Sequence, residues 1–115
     1  LGDPALPAGK CARAILSRRG VTVKPVSLEE NVKSIVIKVS LGEADAGMAW
    51  VSEIVTHAGK VEGVTIPDDQ NMVESFPIAV AVASGHADEA QAFIDFVFSD
   101  AGQRVLASCG FMPPR

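Results

Sequence analysis

Residues 31–51 read NVKSIVIKVSLGEADAGMAWV, and a change of pattern inside this stretch decides the fold class. Val32, Ile35, Val36 and Val39 stand at i, i+3, i+4 and i+7, the apolar stripe of an amphipathic helix. Leu41-Gly42 closes that helix. Residues 46–51 follow as a nearly uncharged run that reads as a buried strand. A helix handing over to an apolar strand is the repeating step of an α/β fold.

The pattern continues on both sides. Toward the N-terminus, Leu1-Gly2-Asp3 reads as the stub of a strand running into a loop. Pro7 suits the first turn of a helix carrying Ala8, Ala12, Ile15 and Leu16 on one stripe, with Arg18 and Arg19 in the last turn and Gly20 as its end. Residues 21–26 alternate like a short edge strand. Toward the C-terminus, residues 52–57 are expected as a short helix capped by Ser52, residues 61–66 as a strand and residues 67–71 as a turn. Residues 76–83 read as a strongly apolar strand, and residues 88–98 and 100–108 as two helices broken at Ser99, which caps the second. The sum is an α/β chain with a small, mostly parallel sheet flanked by helices, plus two C-terminal helices. Phe93, Ile94, Phe96, Val97, Phe98, Val105 and Leu106 lie on more than one face of those last helices. They are expected to pack on a part of the protein outside this chain.

Composition excludes several classes. The chain has 115 residues, 48% of them hydrophobic, which rules out disorder and allows one domain or part of a larger one. Ten basic and fourteen acidic side chains leave a net charge of -4, so no nucleic-acid partner is expected. The uncharged run 75–86 contains Pro77 and is too short to cross a bilayer. Two cysteines, Cys11 and Cys109, do not make a disulfide framework, and buried thiols are the preferred reading. His57 and His86 have no ligand-spaced partners, so no metal site is expected. Asp45, Asp68 and Asp69 read as solvated loop carboxylates, and no nucleophile–base pair or phosphate-binding glycine loop accompanies them. The chain starts without an initiator Met or a signal-peptide pattern and is expected to begin inside a longer protein.

Three helix starts are candidates for chemistry: Pro7-Ala8-Gly9, Asn31-Val32 and Ser52-Glu53. The first turn of a helix presents unpaired N–H groups and about half a positive charge, so it accepts an anion without a cationic side chain. The plain alternative is that these are helix starts such as every α/β protein has. The second start is also ambiguous. Ser27-Leu28-Glu29-Glu30 matches a capping box, which would bury the Val32 N–H inside the helix. With Glu30 or Asn31 as the cap, Val32 falls in the first turn and its N–H stays open. Trp50, the sole tryptophan, offers a donor-only indole N–H at the end of a strand.

Five segments together resemble the periplasmic molybdate-binding proteins of ABC transporters. They are Gly2-Asp3-Pro4 with Pro7-Ala8-Gly9, Glu30-Asn31-Val32-Lys33, 42–47 (GEADAG), 76–80 (FPIAV) and Cys109-Gly110-Phe111. Their order and spacing agree along almost the whole chain with the second half of that family. The resemblance implies a type II periplasmic binding protein, with two α/β lobes and a ligand cleft between them. Residues 1–76 would form the second lobe. Residues 77–115 would be the crossover strand and the C-terminal helices that pack on the absent first lobe. The family's donors match the backbone N–H groups of Ala8 and Val32 here, and Trp50 stands where family members carry an aromatic hydroxyl. Gly9, Asn31 and Ser52 are secondary candidates.

The implied function is the solute-binding subunit of an ABC importer for molybdate and tungstate, periplasmic or otherwise extracytoplasmic, free or membrane-anchored through the preceding segment. Its partners would be the oxyanion, the membrane permease and the N-terminal lobe of the same protein, with self-association through any uncovered apolar face. No cofactor, no catalytic residue and no enzyme activity are expected. The alternatives are a binding protein for another oxyanion such as sulfate, and an oxyanion-sensing domain of a cytoplasmic transcription regulator. Protonated phosphate would need an acceptor, which two N–H groups and an indole do not supply.

Overall fold

The computed structural model describes residues 1–114. It divides into two compact units, Leu1–Val73 and Glu74–Arg115. Among the described residues there are five helices: α1 (Pro7–Arg18), α2 (Val32–Ser40), α3 (Val51–Thr56), α4 (Ala87–Phe98) and α5 (Asp100–Ser108).

In the first unit, α1 starts on extended Leu6 with Pro7 at its first turn, where the absent N–H costs nothing. Arg18 lies in its last turn and Gly20, at φ 65°, ends it. The expected stripe is present. Ala12 and Ile15 are buried together with Cys11, while Ala8 and Leu16 are half-buried. In α2 the same spacing buries Ile35 and Val36, and Gly42 takes φ 74° just beyond the helix. Cys11, Ala12, Ile15, Ile35 and Val36 are the core. The short α3 packs on α2. It begins one residue earlier than the sequence suggests. Its N-cap is Trp50 without a side-chain cap bond, so Ser52 is inside the helix and does not cap it.

The second unit is a pair of packed helices. Ser99 separates them and caps α5. Its hydroxyl accepts from the Gly102 N–H at 3.2 Å and donates to the Phe96 carbonyl at 2.6 Å. Gly102 touches the end of α4 so closely that a Cβ there would overlap the Phe96 and Val97 backbone. Phe76 and Phe111 meet edge to face, with centroids 6.1 Å apart. No residue of α4 is buried, and Phe93, Phe96, Phe98 and Val105 are all more than half exposed.

The expected sheet does not form. Among the described residues the backbone pairs only at two isolated parallel bridges, Gly2 with Glu29 and Ala58 with Val61. Residues 21–26, 46–50, 61–66 and 76–83 carry no strand ladder. Residues 46–51 are not a buried strand either: Ala46, Gly47 and Val51 are exposed and only Met48, Ala49 and Trp50 are half-buried. The physical reason is lateral. An apolar run shows that a segment has a face to bury, but a strand also needs a neighbour for its N–H and C=O groups. Val64 is 88% exposed and Val82 fully exposed, so these segments lack apolar cover as well.

Candidate functional site

The Gly2–Glu29 bridge is where the geometry of the first unit is set. Asp3 N–H donates to the Glu29 carbonyl at 2.8 Å, and Glu29 N–H donates to the Leu1 carbonyl at 2.9 Å. Segments 1–3 and 27–29 therefore run side by side in the same direction. Each leads within a few residues into a helix, the first into α1 and the second into α2. Two helix starts are thus fed from the carboxyl end of one parallel pair, the position where open α/β structures bind ligands.

The turn into α1 is tied by Asp3. Its Oδ1 accepts from Ala5 N–H at 2.8 Å and its carbonyl from Leu6 N–H at 3.0 Å. The first helical bond is Lys10 N–H to the Leu6 carbonyl at 2.9 Å. Ala8 lies ahead of that bond, half-buried, and its N–H has no hydrogen-bond partner among the described residues. Gly9 is buried against segment 1–3. A Cβ on it would overlap the Asp3 carbonyl oxygen, and a Cβ on Gly2 would come within 2.9 Å of the Gly9 nitrogen. The absent side chain lets two backbones meet.

At α2 the ambiguity in the sequence is resolved. Asn31 is the N-cap, with φ -147° and ψ 157°, and its Oδ1 accepts from Ser34 N–H at 2.8 Å and from the Ser34 hydroxyl at 3.0 Å. The Ser27 capping box is not used. Val32 is the first helical residue, and its N–H has no partner among the described residues. The side-chain oxygen of Asn31, a secondary candidate, is occupied by the cap.

Trp50 reaches the unit by another route. It is half-buried at the end of segment 46–50, which crosses α2 where Gly47 meets Ile35, and its carbonyl accepts from Glu53 N–H at 3.1 Å. Ser52 lies half-buried in α3, where its carbonyl accepts from the Thr56 hydroxyl at 2.8 Å. The bridge joins the two segments that lead into the helices starting at Pro7 and Val32. Trp50 and Ser52 are attached to α2 through α3 rather than through the bridge.

Glu29 carries chemistry that the sequence did not reveal. Its Oε1 lies 2.8 Å from Lys38 Nζ, with side chains 13% and 35% exposed. The hydrogen bond from Lys38, and then one from Ser27, hold the Glu29 carboxyl below its ordinary 4.5. The same bond raises Lys38 above 10.5. Glu29 reads in the sequence as one residue of a capping box, and no local signal links it to Lys38 in the last turn of the following helix.

Concave space lies elsewhere. A groove of about 150 Å³ is lined by Val23, Pro25, Ile35, Lys38, Val39 and Asp45, among others, and by none of the candidate residues. Leu1, Ser27 and Glu29 line it too, so it runs from the bridge along α2 to Val39. A cleft of about 350 Å³ beside Arg13, Ser17 and Thr22 also excludes the candidates. No group of His, Cys, Asp and Glu among the described residues is placed to hold a metal ion, and no described helix is long and apolar enough to cross a membrane. Cys11 and Cys109 form no disulfide. Cys11 is buried as expected, but Cys109, just past α5, is exposed.

The profile of a family described as bacterial extracellular solute-binding protein matches residues 1–112. Proteins named molybdate-binding protein ModA, from Mycobacterium bovis (strain ATCC BAA-935 / AF2122/97) and Mycobacterium tuberculosis (strain ATCC 25618 / H37Rv), are each 35% identical over 112 residues. The alignment covers 97% of this chain and 43% of each relative, so the chain spans less than half the length of the curated relatives it matches. No solved structure gives a significant match.

Proposed function

The chain belongs to the bacterial extracellular solute-binding protein family, and from that premise we propose that it supplies one side of a receptor for molybdate and tungstate. The receptor serves an ABC importer on the outer side of the cytoplasmic membrane. The observation that carries this reading is the pair of open helix-start amides, Ala8 and Val32, fed from one parallel bridge.

The chemistry suits a fully deprotonated tetrahedral oxyanion. Ala8 and Val32 each donate a backbone N–H, and the Trp50 indole supplies the third donor from this side. Gly9 and Asn31 serve this site through the backbone, Gly9 by letting segment 1–3 approach α1 and Asn31 by capping α2, and Ser52 is the remaining secondary candidate. All three main contacts donate and none accepts, so the site favours a guest without protons. Neutral dipoles hold a dianion without the grip of a full counter-charge, which lets the ligand leave toward a permease. Size then separates molybdate and tungstate from the smaller sulfate.

The receptor has two lobes in this proposal. Residues 1–76 form the lobe that carries these donors. Residues 77–115 cross back, and the exposed phenylalanines of α4 pack on the other lobe. The segments that carry strand patterns but no ladder pair once the rest of the receptor is beside them. The relatives, twice as long as this chain and named for molybdate binding, support this reading.

One substitution isolates the central contact. Val32→Pro removes the N–H at the first helical position, where proline is tolerated, and Asn31 already has the extended backbone that a residue before proline requires. A charge-assisted hydrogen bond contributes about 1.5–3 kcal/mol. Calorimetry on the complete receptor should show molybdate affinity falling roughly 10- to 150-fold while circular dichroism keeps its helix signal. Unchanged affinity in a folded variant would remove Val32 from the site.

A further inference from the structure

We propose that Glu29, held by Lys38, is a positioning residue that sets the spacing between the Ala8 and Val32 amides. The inference deepens the oxyanion reading and rests on it for what the amides bind.

Glu29 is attached on three sides. Its N–H and C=O make two of the three backbone bonds between segments 27–29 and 1–3, at 2.9 and 2.8 Å, the third being from the Leu1 nitrogen to the Ser27 carbonyl at 3.1 Å. Its carboxylate reaches along α2 to Lys38 at 2.8 Å. A single bridge with no flanking ladder resists little on its own, because each backbone hydrogen bond adds only a small net stabilisation. The side-chain anchor ties that bridge to the far turn of a helix whose Ile35 and Val36 are core residues. Movement at the bridge is passed on to both amides, because neither connection is slack. Asp3 ties the turn into α1 through Ala5 and Leu6, and Asn31 caps α2 directly after Glu29 and Glu30.

The groups that face the pair are few. Lys38 comes from α2, the Ser27 hydroxyl from segment 27–29 and the Leu1 amino group from segment 1–3, Glu43 faces Lys38 from beyond the end of α2, and Lys24 and Asp45 line the same groove as the pair. The sign of the pH dependence follows. The folded carboxyl titrates below 4.5, so its contribution is complete above that value and is lost as pH falls through the lower folded value. Lys38 titrates above 10.5, so its contribution is complete below that value and is lost as pH rises through the higher one. The clamp therefore holds across the whole neutral range and fails in acid.

Amide hydrogen exchange by NMR on the full chain tests this without any ligand. The reporters are the Asp3 and Glu29 amides, with the Val36 amide as reference. Near pH 6, Glu29→Gln and Lys38→Met should each speed exchange at the two bridge amides by about tenfold relative to Val36. The double exchange Glu29→Lys with Lys38→Glu should restore slow exchange, a rescue that a packing role would not produce. In the wild-type chain, protection of the bridge amides should fall selectively on acidification below 4.5. Bridge exchange unchanged in both single variants overturns the proposal, as does failure of the double variant to restore it. If the single variants unfold, the wild-type titration decides, and equal loss at the bridge and at Val36 overturns it. A parallel titration with sodium molybdate follows the Ala8 and Val32 amide shifts in the complete two-lobed receptor, where all the proposed donors are present. Smaller shifts in Glu29→Gln than in wild type support the positioning role. Wild-type signals that ignore molybdate, with the bridge behaving as described, sink the oxyanion reading and leave the positioning role standing.

Discussion

Gly9 and Gly2 sit where two backbones meet, and neither has room for a side chain. A methyl group on Gly9 would occupy the place of the Asp3 carbonyl oxygen, the same oxygen that accepts from Leu6. Gly9→Ala should therefore cost about 1–3 kcal/mol in urea unfolding, as overpacking against fixed backbone does. Gly85→Ala is the control, since nothing lies within 4 Å of the new methyl, and it should stay within about 0.5 kcal/mol. The residue type was legible in the sequence, but its purpose was not. A small residue beside Ala8 reads as space for a ligand, whereas the structure fills that space with segment 1–3. Asn31 was open in the sequence for a related reason. Ser27 and Asn31 are both good caps, and only the bond to Ser34 shows which one the chain uses.

At the scale of elements, caps and glycine ends account for where the helices lie. Gly20, Gly42, Gly59 and Gly110 all take positive φ just beyond a helix, which releases the chain from the helical path at no steric cost. Ser99 does more than end one helix and start another. It bonds to the last turn of α4 and the first turn of α5 together. Ser99→Ala should cost about 1 kcal/mol and lower the thermal midpoint read by circular dichroism at the helix band. These elements were readable because their hydrogen bonds close within about four residues, so the signals sit beside the structure they cause. The strands were not readable with equal safety. Residues 21–26 and 61–66 have strand-like composition, but nothing in their own sequence says whether a neighbour lies alongside.

At the scale of the whole molecule, the five-residue core among the described residues is small for a chain of 115, and α4 leaves Phe93, Phe96 and Phe98 more than half exposed. The donors identified lie on one side of the proposed site only. Calorimetry on this chain alone should find molybdate binding weaker than micromolar or undetectable, since losing the opposing lobe's donors removes several bonds of about 1.5–3 kcal/mol each. A submicromolar dissociation constant for the isolated chain would show that the site is complete without a second lobe.

Five helices, most of their ends and the open turn at Pro7-Ala8 could be traced from residue order, because each depends on contacts only a few positions apart, whereas the start of α2 was left open and α3 does not use its expected Ser52 cap. Family membership was legible in the same way, through short segments in a set order. The link between the segments that lead into α1 and α2 was not. It depends on Gly2 meeting Glu29, and on Glu29 meeting Lys38, and those partners are chosen by packing between segments distant in the chain. A long-range hydrogen bond leaves no periodic mark on the sequence around either partner, so only folding the chain reveals it.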